Sequence, residues 1–530
     1  MKQPHLFWIL FALLAVSLFV NMGVNPLFLE EPRRAMVALE MYLQNNLLTP
    51  TLYGEFYYRK PPVFNWVILG SLKAFPNNPE FACRLVSVIS ILFMGLLTYW
   101  FCKKYHSDNL AQMASLLFLA SVHFLFYASL FAEIDLFYSL LTYASILALF
   151  VFHRKHNKLL YFFVMYVLSA IGLLTKGAPS LVFLGLCLLA HLTLTKNLKW
   201  LISWQHLLSI AAFSSIIGAF VVAYSELNPV QNLIAAVWKQ SSDQTVANHG
   251  IGKTLLRGLI YPFEVIRDLL PVSLFVPFLF IRRFRQGIGQ HSMLKFVVVL
   301  LLANIMVYWG SPGTRSRYVY MLYPLAVILF TWLFIEVRKE YAWIEKALRA
   351  LNSLIIALLI AAMLALPFIE DRLGIGNVSV LLISGSVIIL LLLAHMVFKR
   401  KTMTQMWWLI ALLIFARFQF DLIVLPARAE QGEHMEYKIH GEKISQLTRG
   451  KQLWLYRYPV GKDEASLKFG HGFYIEWNRQ DVLRSIQDKN CEDFFLTQDF
   501  EVRNDSYDPV YEFYRREDRW LLIKFTGCND

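Results

Sequence analysis

Up to about residue 426 the chain alternates long apolar runs with short polar stretches. The runs hold roughly 18–24 residues, enough for a helix to cross a ~30 Å hydrocarbon core. About thirteen fit, at roughly 6–24, 83–102, 109–130, 135–152, 159–175, 178–195, 205–224, 261–281, 294–310, 317–336, 350–368, 377–398 and 405–425. One soluble core cannot absorb so many, so the pattern predicts an all-α polytopic membrane protein. The first run, Leu6 to Met22, leads into Asn25, Pro26 and charged residues rather than a small-x-small cleavage site, and reads as a retained span. From Pro426 onward the pattern changes. Gln452–Tyr456, Phe494–Leu496 and Trp520–Phe525 read as short strands, and Glu442–Leu447 and Asp481–Gln487 as helical pieces. The expected division is a transmembrane domain, 1–426, with outer-face loops 25–82 and 226–260, and a small extracytoplasmic α/β domain, 427–530.

Composition agrees with a membrane chain: 57% of residues are hydrophobic and 16% charged, where a soluble protein carries about a quarter charged. The net charge of +13 would suggest nucleic acid as a partner, but its position suggests otherwise. Lys103–Lys104, Arg154–Lys155–Lys158, Lys196–Lys199, Arg282–Arg283–Arg285, Arg338–Lys339 and Lys399–Arg400–Lys401 each follow every second run. Basic loops face the cytoplasm, which places the N-terminus inside and the C-terminus outside. No stacking motif or zinc-finger spacing accompanies the charge, and no nucleic-acid partner is expected. Cys491 and Cys528 would then face an oxidising compartment, where they can form a disulfide. Cys83, Cys102 and Cys187 lie in or beside spans as packing residues.

Charged groups at membrane depth are costly and ask for a reason. Leu29-Glu30-Glu31-Pro32-Arg33-Arg34 follows the first span. By itself it is a helix start, with acids at the positive dipole end and arginines one turn on. Met36, Leu39 and Leu43 share one face, which predicts a helix from Pro32 to about Asn45 lying flat on the membrane. Gly54 to Pro62 sets Tyr57, Tyr58, Arg59 and Lys60 at the outer interface, where cations are disfavoured unless something negative is held there. Ala132-Glu133-Ile134-Asp135 puts two carboxylates in a short outer turn, and Gly313 to Tyr318 puts Arg315 and Arg317 in another. His249, in the second outer loop, is either a substrate or metal contact or a solvated side chain. Glu264, Arg267 and Asp268 form an interfacial ion-pair set or part of a site. Arg417 and Asp421, four apart, share a helix face and read as a buried pair that fixes packing.

Four short segments resemble a known family. Glu30-Glu31-x-Arg33, Lys60-Pro61-Pro62, Asp135 two residues after Glu133, and Thr175-Lys176-Gly177 recur in that order in the aminoarabinose transferases of lipid A. They recur also in related bacterial membrane glycosyltransferases that share an ancestor with the protein O-mannosyltransferases. The resemblance covers about residues 1–330. It implies the multispan GT-C fold and inverting transfer of a sugar from a polyprenyl-phosphate donor. Glu30 falls where the family usually has the catalytic Asp of Asp-Glu-x-Arg-Tyr; Glu31 and Arg33 match that motif, and Arg34 replaces its Tyr. Lys60 matches the lysine taken to meet the lipid phosphate. Arg59 stands where some relatives carry a Glu suspected of binding a metal, so no cofactor is implied and a divalent metal is left open.

These residue types suit that chemistry. Inverting transfer needs one general base to take the acceptor's proton, and Glu30 is the candidate, with Asp135 assisting and Glu31 next in line. Charge grows on the departing phosphate, so fixed cations lower the barrier; Lys60, Arg59, Lys176, Arg315 and Arg317 are the candidates. Arg33, Tyr57, Tyr58, Tyr318 and His249 are candidate substrate contacts. The expected partners are a polyprenyl-phosphate-linked sugar, a lipid A, glycan or protein acceptor, and the bilayer, in a bacterial inner membrane. A flippase for lipid-linked sugars would use the same cations without a base, but it should show paired repeats. An O-antigen ligase or polymerase is the enzymatic alternative, against which the early Glu-Glu-x-Arg segment argues.

Overall fold

The computed structural model describes the chain except residues 1–2, 243–250, 310–312, 314, 374–378, 400–403, 459–466, 468, 516–517 and 527–530. Among the described residues nine helices are long and apolar enough to cross a membrane. They become ten if Asp108–Leu119 and Val122–Leu130, bent by 40°, are one span. The runs expected at 6–24 and 178–195 form shorter apolar helices, His5–Phe19 and Pro179–Leu194. This is a multi-pass membrane protein.

The span expected at 261–281 is not formed as a single helix. Residues 261–281 divide between a helix, Ile251–Asp268, and a 3-10 helix, Val272–Phe280. Pro262, Pro271 and Pro277 remove backbone donors along this stretch, which breaks the ladder a continuous span needs. The Ile251–Asp268 helix is amphipathic. Leu255, Leu256, Leu259 and Phe263 are exposed on one face, while Tyr261 and Asp268 are buried and Arg257 and Glu264 half-buried on the other.

The chain packs as two compact units. The first comprises Met1–Met22, Arg84–Ala219 and Ile234–Ala427. Its spans Ile134–Arg154 and Ser316–Glu340 are enclosed by other helices, whereas Val380–Lys399 exposes most of its apolar surface, as a lipid-facing helix does. Arg417 and Asp421 form the expected pair, at 2.7 Å and fully buried. Arg417 also donates to the Leu125 carbonyl and, at 2.9 Å, to Ser129 Oγ. Those acceptors lie where the Val122–Phe126 helix gives way to a 3-10 turn, so one guanidinium satisfies a carbonyl beside a break in the helix.

The second unit comprises Gly23–Cys83, Phe220–Leu233 and Arg428–Asp530. The helix expected from Pro32 is present as Glu31–Leu43, but it is buried from Glu31 to Met41 instead of presenting one face to lipid. Helices Val63–Ala74 and Phe469–Arg479 pack against it. Strands β1 (Thr51–Leu52) and β2 (Glu55–Phe56) form a hairpin closed by Tyr53 and Gly54, both at positive φ as a two-residue turn requires. Strands β3 (Leu453–Tyr456), β4 (Arg484–Ile486), β5 (Phe494–Gln498), β6 (Tyr507–Arg515) and β7 (Asp518–Phe525) form a sheet of order β4-β3-β5-β7-β6. β3 pairs parallel to β4 and β5, and β7 pairs antiparallel to β5 and β6. Asp481–Gln487, expected to be helical, contains β4 instead. Pairing of Arg484–Ile486 with Trp454–Tyr456 overrides the weak local preference of so short a segment. Cys491 is disulfide-bonded, and Cys528, its expected partner, lies outside the described residues. Cys83, Cys102 and Cys187 are buried.

Glu40, fully buried in the Glu31–Leu43 helix, holds the hairpin in place. Tyr53 N, Gly54 N and Thr51 Oγ1 donate to its carboxyl oxygens at 2.5, 3.0 and 2.7 Å. The Glu476 carboxyl faces it from the Phe469–Arg479 helix. Burial pushes Glu40 up to about 7 against these donors, and burial and then Glu40 raise Glu476 as well. A carboxyl raised on folding binds more protons folded than unfolded, so stability falls as pH rises from its ordinary 4.5 through about 7. Scanning fluorimetry of the full chain between about pH 5 and about pH 8 should show a loss of up to about 3 kcal/mol. Glu40→Gln should flatten that slope; an unchanged slope would place its origin elsewhere.

Candidate functional site

In the first unit two adjacent helices place opposite charges together. Asp135 lies in the first turn of Ile134–Arg154, next to Glu133 at the N-cap. Lys176 closes Lys158–Lys176, which ends on Gly177 at φ 92°. Each charge complements its own helix dipole, and the hairpin of the two helices brings Lys176 Nζ to 2.5 Å from Asp135 Oδ1. The ammonium is enclosed by the rings of Tyr138 and Tyr318, at 4.8 and 4.9 Å from their centroids. Arg317 reaches the same carboxylates more loosely, 3.7 Å from both Asp135 Oδ2 and Glu133 Oε1. Lys176 is thus the counter-ion of Asp135, while Arg317 keeps a side chain one-quarter exposed.

Beside this cluster is a cavity of about 570 Å³ whose lining includes Glu133, Arg315, Arg317, Arg267, His123 and Tyr320. Its carboxylates are matched by arginines. Arg257 grips Glu264 with two bonds, at 2.6 and 2.8 Å, and Arg267 meets Asp268 at 2.8 Å. Asp268 also accepts from Tyr323 Oη at 2.9 Å and faces His123 Nδ1 at 3.4 Å. Burial alone would raise its carboxyl, but His123, Arg267 and Tyr323 outweigh burial and hold it at about 2. Arg315 lines the cavity with no carboxylate partner among the described residues. A cavity in which arginines outnumber carboxylates by this one group suits an anion.

The remaining candidates lie in the second unit. Glu30 precedes the Glu31–Leu43 helix and pairs with Arg33, its side chain half-exposed. Leu29 before it adopts φ 56°, a left-handed conformation disfavoured for leucine. Such strain persists only where surroundings impose it, and here they do. Tyr474 Oη receives the Leu27 amide at 2.9 Å and donates to Glu80 at 2.9 Å, Phe28 stacks on His434 at 4.8 Å, and Arg33 lies over Phe469 at 5.7 Å. The segment carrying Glu30 is therefore positioned by residues more than 400 positions away. Glu31 is buried and accepts from the Phe28 amide at 3.2 Å, an arrangement that fixes the helix start. Tyr57 is buried, Tyr58 Oη contacts Asn228 at 3.2 Å, Arg59 is exposed and Lys60 half-buried. His249 lies outside the described residues.

A sequence profile of the family described as dolichyl-phosphate-mannose-protein mannosyltransferase matches residues 59–221. The chain is 26% identical over 195 residues, 36% of its length, to an undecaprenyl phosphate-alpha-4-amino-4-deoxy-L-arabinose arabinosyl transferase of Pseudomonas paraeruginosa. It is 30% identical over 188 residues to a Proteus mirabilis protein of the same description. Each match spans 34% of the relative's own length. The crystal structure of ArnT from Cupriavidus metallidurans bound to undecaprenyl phosphate superposes with a TM-score of 0.70 at 16% identity. That superposition covers 97% of both chains. The chain shares the ArnT fold, and over about a third of its length it is similar in sequence to these arabinosyl transferases. Its fold extends over nearly the whole length, so the residues after 330, where sequence resemblance fades, belong to the same architecture. Among the described residues no three His, Cys, Asp or Glu side chains converge on a point that could hold a metal. The sequence reading overlooked His123, Tyr320 and Arg257. An ionisable residue inside an apolar run is itself a signal, and His123, right after the break at Ser121, carries it.

Proposed function

We propose that this chain is an inverting glycosyltransferase that moves a sugar from a polyprenyl phosphate to a lipid A, glycan or protein acceptor. It acts at the outer face of the bacterial inner membrane, with the N-terminus cytoplasmic and the C-terminus periplasmic. The observation that carries this reading is the cavity with one more arginine than carboxylate, beside a carboxylate cluster, in a fold shared with a structure bound to undecaprenyl phosphate. The names of the partial relatives support it.

In the proposed reaction Glu30 takes the proton of an acceptor hydroxyl. The acceptor oxygen forms a bond to the anomeric carbon as the bond from that carbon to the phosphate oxygen breaks, and polyprenyl phosphate leaves. Arg315, Arg317 and Lys60 stabilise the charge on the leaving group. Asp135, held by Lys176, orients the acceptor, and it also holds Arg317. Arg33 restrains Glu30, and Tyr318 and Tyr58 are further substrate contacts.

Binding of undecaprenyl phosphate to the purified protein tests this. Arg315→Ala, Arg317→Ala or Lys60→Ala each remove a charge-assisted contact and should weaken binding by roughly 10–150-fold. Equal binding by all three variants, or turnover with a nucleotide sugar and no lipid carrier, would overturn the assignment.

A further inference from the structure

The cavity contains a chain of polar groups that the proposed reaction does not use. Asp268 faces His123 Nδ1 at 3.4 Å, and His123 Nε2 bonds the hydroxyl of Tyr320. Asp268 is buried and already accepts from Arg267 and Tyr323, so it stays ionised and has no proton to give. An imidazole that faces a carboxylate through Nδ1 carries its proton on that nitrogen. With that single proton on Nδ1, Nε2 is an acceptor, and Tyr320 donates its one hydroxyl proton to it. The phenol oxygen is left with lone pairs only.

His123 and Tyr320 line the same cavity as Arg315 and Arg317. We propose that Tyr320 is a specificity-determining residue, its oxygen held as an acceptor by Asp268 and His123 so that it receives a hydrogen bond from a hydroxyl of the donor sugar. The proposal rests on reading this cavity as the polyprenyl-phosphate site. A sugar is joined directly to its phosphate, so a phosphate on Arg315 and Arg317 brings the sugar's hydroxyls into reach of the same walls. The relay runs one way. A sugar that presents only lone pairs at this point, such as an ether or a carboxylate, meets an oxygen that cannot donate, and both stay unpaired.

Two measurements on the full-length protein in detergent test it. Nitrogen-15 NMR of histidine-labelled protein, with the His123 signal identified by its loss in His123→Gln, should show a neutral ring protonated on Nδ1. A ring protonated on Nε2, or on both nitrogens, overturns the proposal, because Tyr320 would then be free to donate. In the second, Tyr320→Phe keeps the ring and deletes the oxygen. It should leave the affinity for bare undecaprenyl phosphate unchanged, which also reports a folded site. Affinity for the glucosyl, mannosyl or arabinosyl ester of that phosphate should fall roughly 2–12-fold for at least one ester, the worth of one neutral hydrogen bond. Equal loss for the bare phosphate and the esters, or no loss for any ester, overturns the proposal. Failure of the unaltered protein to bind undecaprenyl phosphate would instead overturn the reading on which it rests.

Discussion

Glu30→Gln is expected to lower turnover ~10²–10⁴-fold, the usual worth of a positioned general base, without lowering the affinity for undecaprenyl phosphate. The amide keeps the size of the side chain and an oxygen toward Arg33, its partner in the structure, so the helix start should survive. What it loses is the capacity to take a proton. Glu30 suits the role because it is half-exposed and follows a strained residue fixed by Tyr474 and His434. Glu31→Gln is the control. Its carboxyl is buried against the Phe28 amide, so the substitution should cost stability and leave turnover of the folded fraction largely intact. Near-normal turnover in Glu30→Gln with a collapse in Glu31→Gln would exchange the two roles.

The largest stability effect is expected at Arg417. Arg417→Ala should destabilise the first unit by about 3–5 kcal/mol, because it leaves Asp421 as a buried charge without its partner. It also removes the donor to the Leu125 carbonyl and to Ser129. Exchanging the pair together, Arg417→Met with Asp421→Leu, should recover much of that loss, since no lone charge remains. The Leu125 carbonyl still loses its donor, so recovery should be incomplete. Unfolding temperature and yield of monodisperse protein in detergent measure both. A single substitution as mild as the double one would show that the buried pair contributes little.

Part of the site was legible because its residues carry their reasons locally. Asp135 at the mouth of one run and Lys176 at the end of the next stand out as charges that membrane depth disfavours. The pairing of Asp135 with Lys176 was not legible. It depends on two helices meeting side by side, which gives Lys176 a carboxylate partner in place of a phosphate. Residues 261–281 misled for a related reason. Their mean apolarity resembles a span, but Arg257, Tyr261, Glu264 and Asp268 share one helix face, and prolines interrupt the rest.

The sequence by itself determined that this chain crosses a membrane many times and that a small α/β region follows. Those properties follow from removing each segment from water, an energy that depends on that segment's own side chains. Only the tertiary structure decided that Gly23–Cys83 packs in one unit with Arg428–Asp530, so that Tyr474 and His434 hold the segment before Glu30. It also decided that Glu40 meets Glu476 and that Arg417 caps a carbonyl almost 300 residues away. Hydrogen bonds and ion pairs act over a few ångströms whatever the separation along the chain. Which groups come within that range is set by how the helices pack, and no local pattern records it.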